Sequence, residues 1–342
     1  MTNFRLKTIL TLAALLLSGS VFATVLKIAT LAPEGSEWML EHRAAAAQIK
    51  ELTEGRVMLK FYGGGVMGND KKVLRKMRIG QLQGAAFSTS GLMERYFDIV
   101  LYGLPFIFES QDEVDFVRQR FDERLASGLH DAGFVSFGFA GGGFAQFMSA
   151  QPVRNQQDLA TRKIWVPDGD TISFTALEYQ NLSPVVLPLS DVLTGLQAGL
   201  VDVIVTPPSV ALLLQWYTKV NYINPLPVSY TMGILALDNK AFDRISPADQ
   251  AVVSEILTAT YGRLDEINRR DNLEAVDALQ ANGLQVVAAE SEAIPYWRGV
   301  ADKINSQMWS KQSVDKELLA EFLATLAEFR AGGEAVAAAA GE

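Results

Sequence analysis

The chain has 342 residues, 49% of them apolar and 20% charged, with a formal charge of −9 and no cysteine. A disulfide framework and a thiolate metal or iron–sulfur site are excluded, while the acid excess and the hydrophobicity argue against a nucleic-acid binder and against disorder. The length corresponds to two domains of ordinary size, large enough to bury a core without covalent staples.

Residues 1–23 read as an export signal. Arg5 and Lys7 form a basic start, Ile9 to Leu17 an apolar run, and Val21 and Ala23 take the −3 and −1 places of a small-residue cleavage site, so the expected location is the periplasm. The run is too short to span a membrane, which takes about 20 apolar residues. A lipid anchor would need a cysteine.

Helix and strand signals then alternate, which points to an α/β fold. Val25–Ala29 and Val57–Tyr62 read as strands, and residues 38–52 between them as a helix with Trp38, Ala45, Ile49 and Leu52 at helical spacing. A helix over Lys71–Ile79 and a short strand over Gly84–Phe87 follow. Leu101–Phe108 is an apolar loop of the kind a ligand cleft needs. Gly133–Ala140 alternates as a strand that ends at Gly141-Gly142-Gly143. Lys163–Val166, Val185–Pro188 and Val201–Val205 read as strands, and Asp170–Glu178 as a helix. Ser190–Gly199 reads as a helix with Ser190 as its N-cap. Pro207 and Pro208 enforce a turn.

The strongest single signal lies at 246–283. Ser246 caps, Pro247 takes the first helical position, Asn282-Gly283 stops the pattern, and Val253, Ile256, Leu257, Leu264, Ile267, Val276 and Leu279 recur at helical spacing. A continuous helix here is about 50 Å long and would run across two domains; the alternative is a break near Asn268–Asp271. The final residues, 331–342, are a low-complexity tail, expected to be disordered or a frayed helix.

Gly63, Gly65 and Gly68 match G-x-G-x-x-G between a strand and a helix, the context of a dinucleotide loop. The acidic ribose contact about 20 residues on is missing, so a Gly-rich turn is the favoured reading and no cofactor is expected. The only histidines, His42 and His130, have no ligand spacing around them, and His42 is expected on the exposed face of its helix. Neither a metal site nor a Ser-His-Asp triad is indicated. Trp38, Trp165, Trp216 and Tyr217 sit at element ends, where pocket aromatics are found.

Six stretches together resemble the periplasmic substrate-binding proteins of TRAP transporters (tripartite ATP-independent periplasmic transporters). They are residues 26–38, 57–92, 104–110, 141–153, 158–167 and 189–204. The resemblance implies a two-lobe periplasmic binding-protein fold (type II-like), with a ligand cleft between lobes and a long helix spanning both. It implies lobe I at 24–142 plus 231–270, lobe II at 143–230 plus 271–330, and no catalysis. Its partners would be a small-molecule ligand and integral membrane permease subunits; the chain would be a monomer, or a homodimer as the alternative. Where most relatives carry an Arg that forks onto a ligand carboxylate, this chain has Trp165. A second common basic position falls near Ala145. VIVTPP (203–208) replaces the family's polar run.

A more apolar site is therefore expected, favouring an aromatic or hydrophobic ligand, with organic acids the usual class of the family. Trp165 would stack on the ligand or hold a cation over its face. Gln146, Ser88, Thr89 and Thr206 are the candidate polar contacts, and Trp38, Phe87, Phe144, Trp216 and Tyr217 the candidate walls. The alternative is a carboxylate held by another base, Arg95 or Arg162. Competing functions are a ligand receptor for a membrane sensor kinase and an exported α/β enzyme.

Overall fold

The computed structural model describes residues 23–311 and 314–340; the leader, up to residue 22, lies outside them. Nine strands form one connected sheet: β1 Thr24–Ala29, β2 Val57–Tyr62, β3 Gly84–Ser88, β4 Phe134–Ser149, β5 Ile164–Pro167, β6 Pro184–Leu187, β7 Val203–Thr206, β8 Tyr222–Asp238 and β9 Gln285–Val286. The order is β2-β1-β3-β8-β4-β7-β5-β6, with β9 beside β8. At each end the strands are parallel, β1 with β2 and β3 and β5 with β6 and β7, as helical crossovers require. The two longest strands, β4 and β8, pair antiparallel in the middle and belong to both halves.

The principal helices are α1 Glu37–Leu52, α2 Asp70–Arg78, α3 Gln111–Asp131, α4 Thr171–Tyr179, α5 Val192–Gln197, α6 Pro208–Leu213, α7 Pro247–Ala281, α8 Ala293–Lys311 and α9 Lys316–Ala340. α7 is unbroken over 35 residues. Its Ser246 hydroxyl accepts from the Asp249 amide at 3.2 Å, a cap that contributes about 1 kcal/mol, and Gly283 turns away at φ +98°.

Helices cover both faces. In the first half, α1 and the start of α7 pack on one face through Met39, Ile49, Val253 and Leu257, and α3 and α9 on the other through Val117, Phe121, Phe322 and Leu326. In the second half, Trp165, Trp216, Ile204 and the end of α7 at Leu279 form one core, and Phe147, Val203, Ile164 and Trp297 the other. Each fully buried large side chain contributes about 1.5–3 kcal/mol. α7 therefore spans both halves. So does α8, which places Trp297 in the second half and Ile304 in the first. The expectation that 271–330 packs with the second lobe is corrected: α9 lies on α3.

Three further expectations change. β4 does not end at the three glycines but continues to Ser149, with register shifts on either side of Gly143 absorbing the irregularity. Ser190 is not a helix cap: it lies in a 3₁₀ turn, Leu189–Asp191, and its hydroxyl donates to Asp191 Oδ1. His42 is fully buried, its ring stacked 4.5 Å from that of Phe61 with neither nitrogen bonded, and burial pushes its pKa down to about 4. Of the two readings of the tail, disordered or a frayed helix, the structure has the helical one, as far as Ala340. The turn after β2 carries Gly64, Gly65 and Gly68 at positive φ, a bend open only to glycine at low cost.

Candidate ligand-binding site

The triple glycine is where α7 meets the crossing strands. Asp265, Asn268 and Asn272 recur on one face of α7. Asp265 Oδ1 accepts from the Gly141 amide at 2.6 Å, Asn268 Nδ2 donates to the Gly141 carbonyl at 2.9 Å, and Asn272 Nδ2 to the Gly142 carbonyl at 2.8 Å. A Cβ at Gly142 would meet Thr231, and one at Gly143 would meet Asn272. Only backbone without side chains lets the helix come this close. Arg118 of α3 donates from Nη1 to both Asp265 carboxylate oxygens at 2.8 and 2.9 Å and from Nη2 to the Phe139 carbonyl at 2.7 Å.

Beside this junction lies a cavity of about 780 Å³, within the range of small-molecule sites. The first half supplies Trp38 from the start of α1, Phe87 to Ser90 from the end of β3, and Pro105 and Phe106 from the apolar turn. Phe106 is held at φ +54°, a left-handed conformation costly for an aromatic residue, and its amide donates to the Val228 carbonyl at 2.7 Å. The second half supplies Phe147, Trp165, Val205, Thr206 and Trp297, and α7 supplies Asn268, Asp271 and Glu274.

Of the residues singled out in the sequence, Trp38, Phe87, Ser88, Thr89, Trp165 and Thr206 line this cavity. Phe144 and Gln146 do not. Side chains alternate along β4, so Ala145 and Phe147 face the cavity while Phe144 and Gln146 line a second one of about 330 Å³. Trp216 and Tyr217 line neither: Trp216 is 1% exposed and packs edge-on beneath Trp165, ring centres 5.2 Å apart. Trp165 itself is 4% exposed, with its indole N–H donating to the Leu187 carbonyl at 2.9 Å, so it offers the cavity no donor. Arg95 and Arg162 are elsewhere. Arg95 lies over the Phe134 ring, and Arg162 donates to the Asp158 carbonyl.

The apolar loop Leu101–Phe108, read as a cleft segment, does reach the cavity through Pro105 and Phe106, while sequence reasoning passed over Phe147, Ser229, Asn268 and Trp297. Counting parity along β4 would have selected Phe147 over Phe144. Nothing local marks Trp297, which reaches the site because α8 crosses the sheet.

No Lys, Arg or His is among the described residues that line the cavity; its charged residues are Glu37, Asp170, Asp271 and Glu274. Arg270 ties Glu37 to Asp271 at 2.7 and 2.8 Å. Asp170 accepts from the amides of Ile172 and Ser173 and from the Ser173 hydroxyl, capping α4, and burial raises its pKa. Across the cleft, Lys71 of α2 reaches Asp168 at 2.7 Å. The described residues contain no group of His, Cys, Asp and Glu able to hold a metal, and no helix among them is long and apolar enough to cross a membrane.

Two α/β halves joined by crossing strands, with an internal cavity at the junction, define a solute-binding protein. Residues 28–312 match the bacterial extracellular solute-binding proteins, family 7 (DctP), and the chain belongs to that family. It is similar to the sialic acid-binding periplasmic protein SiaP of Vibrio cholerae, 24% identical over 84% of this chain and 86% of that one. An uncharacterized protein of Salmonella typhimurium, YiiZ, is 26% identical over 45% of this chain and 48% of its own length. Among solved structures, a TRAP periplasmic solute binding protein from Ralstonia eutropha with bound (S)-2-acetolactate superposes with a TM-score of 0.82 at 19% identity, covering 90% of this chain and all of that one. One from Desulfovibrio salexigens with bound orotic acid gives 0.81 at 17% identity, covering 89% and 99%.

Proposed function

We propose that this protein captures a small organic solute in the periplasm and delivers it to the integral membrane subunits of a TRAP transporter. The observation that carries this reading is the cavity at the crossing of β4, β8 and α7, walled by both halves. Lobe I would comprise 24–142 and 231–270, joined by α9, and lobe II 143–230 and most of 271–298. The lobes would close about the glycine junction. Trp38, Phe87, Ser88, Thr89, Trp165 and Thr206 would contact the solute. The leader would be cleaved after Ala23.

Solutes bound by similar proteins include sialic acid, acetolactate and orotic acid, which supports a ligand of comparable size here. The test is native mass spectrometry of exported protein, followed by small-angle scattering with and without the released solute. A retained compound and a smaller radius of gyration on binding are expected. A protein that holds no solute and never changes shape would refute the reading.

A further inference from the structure

Resting on that solute-capture reading, we infer that the solute is an uncharged, largely apolar molecule and that the cavity rejects carboxylates. Three observations carry this. The first is the absence of any cation from the described lining. A carboxylate taken out of water needs a positive partner or several donors, and without them the charged form is strongly disfavoured.

The second is that five cations near the site already hold carboxylates of the protein. Arg270 holds Glu37 and Asp271, Arg269 holds Asp115, Arg118 holds Asp122 and Asp265, Lys71 holds Asp168, and Arg298 holds Glu109. To recruit one, a ligand carboxylate would have to break a protein ion pair and leave a protein carboxylate behind, so nothing is gained. Glu37 and Asp271 are neutralised by Arg270, and Glu274, which has no ion pair among the described residues, adds repulsion.

The third is the chemistry that remains. Phe87, Phe106, Phe147, Val205 and Trp297 offer apolar surface. The hydroxyls of Thr206 and Ser229, both in the lining, are not committed to a hydrogen bond within the described protein. A hydroxyl both donates and accepts, which suits a ligand hydroxyl, carbonyl or ester and does not neutralise a charge. The indole N–H of Trp165, the group best placed to compensate for a missing cation, is spent on Leu187.

The test uses the purified mature protein and three ring systems, benzene, indole and cyclohexane. Each is offered as the methyl ester, the free carboxylate and the primary amine. Retention after desalting is read by mass spectrometry, affinity by titration calorimetry, and closure by scattering. At least one ester should bind about tenfold or more tighter than its matched acid and amine at neutral pH, with little change between low and high salt. An acid or amine that binds as well as its ester, with closure, overturns this inference and leaves solute capture standing. No retention of any probe together with no solute in the exported protein would overturn both.

Discussion

The indole N–H of Trp38 donates to Oδ1 of Asn268 at 2.8 Å, joining residues 230 apart in sequence. Asn268 passes its own amide N–H to the Gly141 carbonyl. One buried side chain thus ties the first turn of α1, the middle of the long helix and the crossing strand into a single polar relay beside the cavity.

Asn268→Ala leaves the Trp38 N–H and the Gly141 carbonyl unpaired at a site that is 7% exposed. Orphaning buried groups costs about 1–3 kcal/mol. Urea unfolding should show a loss of that order with an unchanged slope, and solute affinity should fall with it.

Gly143 adopts φ +95°, with Asn272 where a Cβ would stand. Gly143→Ala forces both a left-handed alanine and a displaced Asn272, at about 1–3 kcal/mol. Thermal unfolding should report the loss. Gly133→Ala is the control: its φ is also positive, at +98°, but a Cβ there meets nothing, so its cost should be the smaller.

His42 sets a pH dependence. Its pKa falls from 6.5 in the unfolded chain to about 4 in the fold. Between those values the unfolded state binds a proton that the folded state does not, so stability rises with pH. It should be complete above about 6.5 and diminish as pH drops towards 4, by on the order of 3 kcal/mol. His42→Phe, stacked on Phe61, should flatten the stability profile in that window.

The Lys71–Asp168 pair joins the two sides of the cleft. Lys71 is more than half exposed, so the pair is worth at most about 1 kcal/mol. Lys71→Gln should weaken solute affinity no more than roughly fivefold, and the difference should vanish at high salt. A larger, salt-independent effect would mean that Lys71 acts on the solute directly.

Phe147 packs against Trp297 with ring centres 5.4 Å apart and walls the cavity. Phe147→Ala should destabilise by about 3–5 kcal/mol. Phe147→Leu should keep most of the stability and still reduce affinity for an aromatic ring, which calorimetry would resolve.

Much of the fold was legible because local chemistry dictates it. β2 at Val57–Tyr62 is a short β-prone run that buries alternate residues, and α7 is bounded by Ser246-Pro247 and Asn282-Gly283 with apolar residues between. β4 was half read: its glycines look like a terminus, yet they are the places where α7 touches the backbone. α8 and the body of α9 were not read. The apolar face of α9 is completed by α3, and that of α8 in part by the sheet face at Phe147, Ile164 and Val203, partners far away in sequence.

The site was harder to read. Trp38, Phe87 and Thr206 stand at element ends, a local property, and all three line the cavity. Phe144 and Phe147 differ only in which face of one strand they occupy. His42 and Trp216 look like surface and pocket residues until a second element covers them.

The sequence by itself determined the alternation of helices and strands, the long capped helix, the family resemblance and the lack of any cysteine. These follow from residue types and short spacings, which act over a few bonds. Only the tertiary structure decided the single sheet through two crossing strands, the burial of His42, the use of Trp165 as packing rather than as a donor, and the absence of any cation from the described cavity lining. Each of those depends on which distant side chains arrive together, and an Arg is available to a ligand only if no carboxylate of the protein has reached it first.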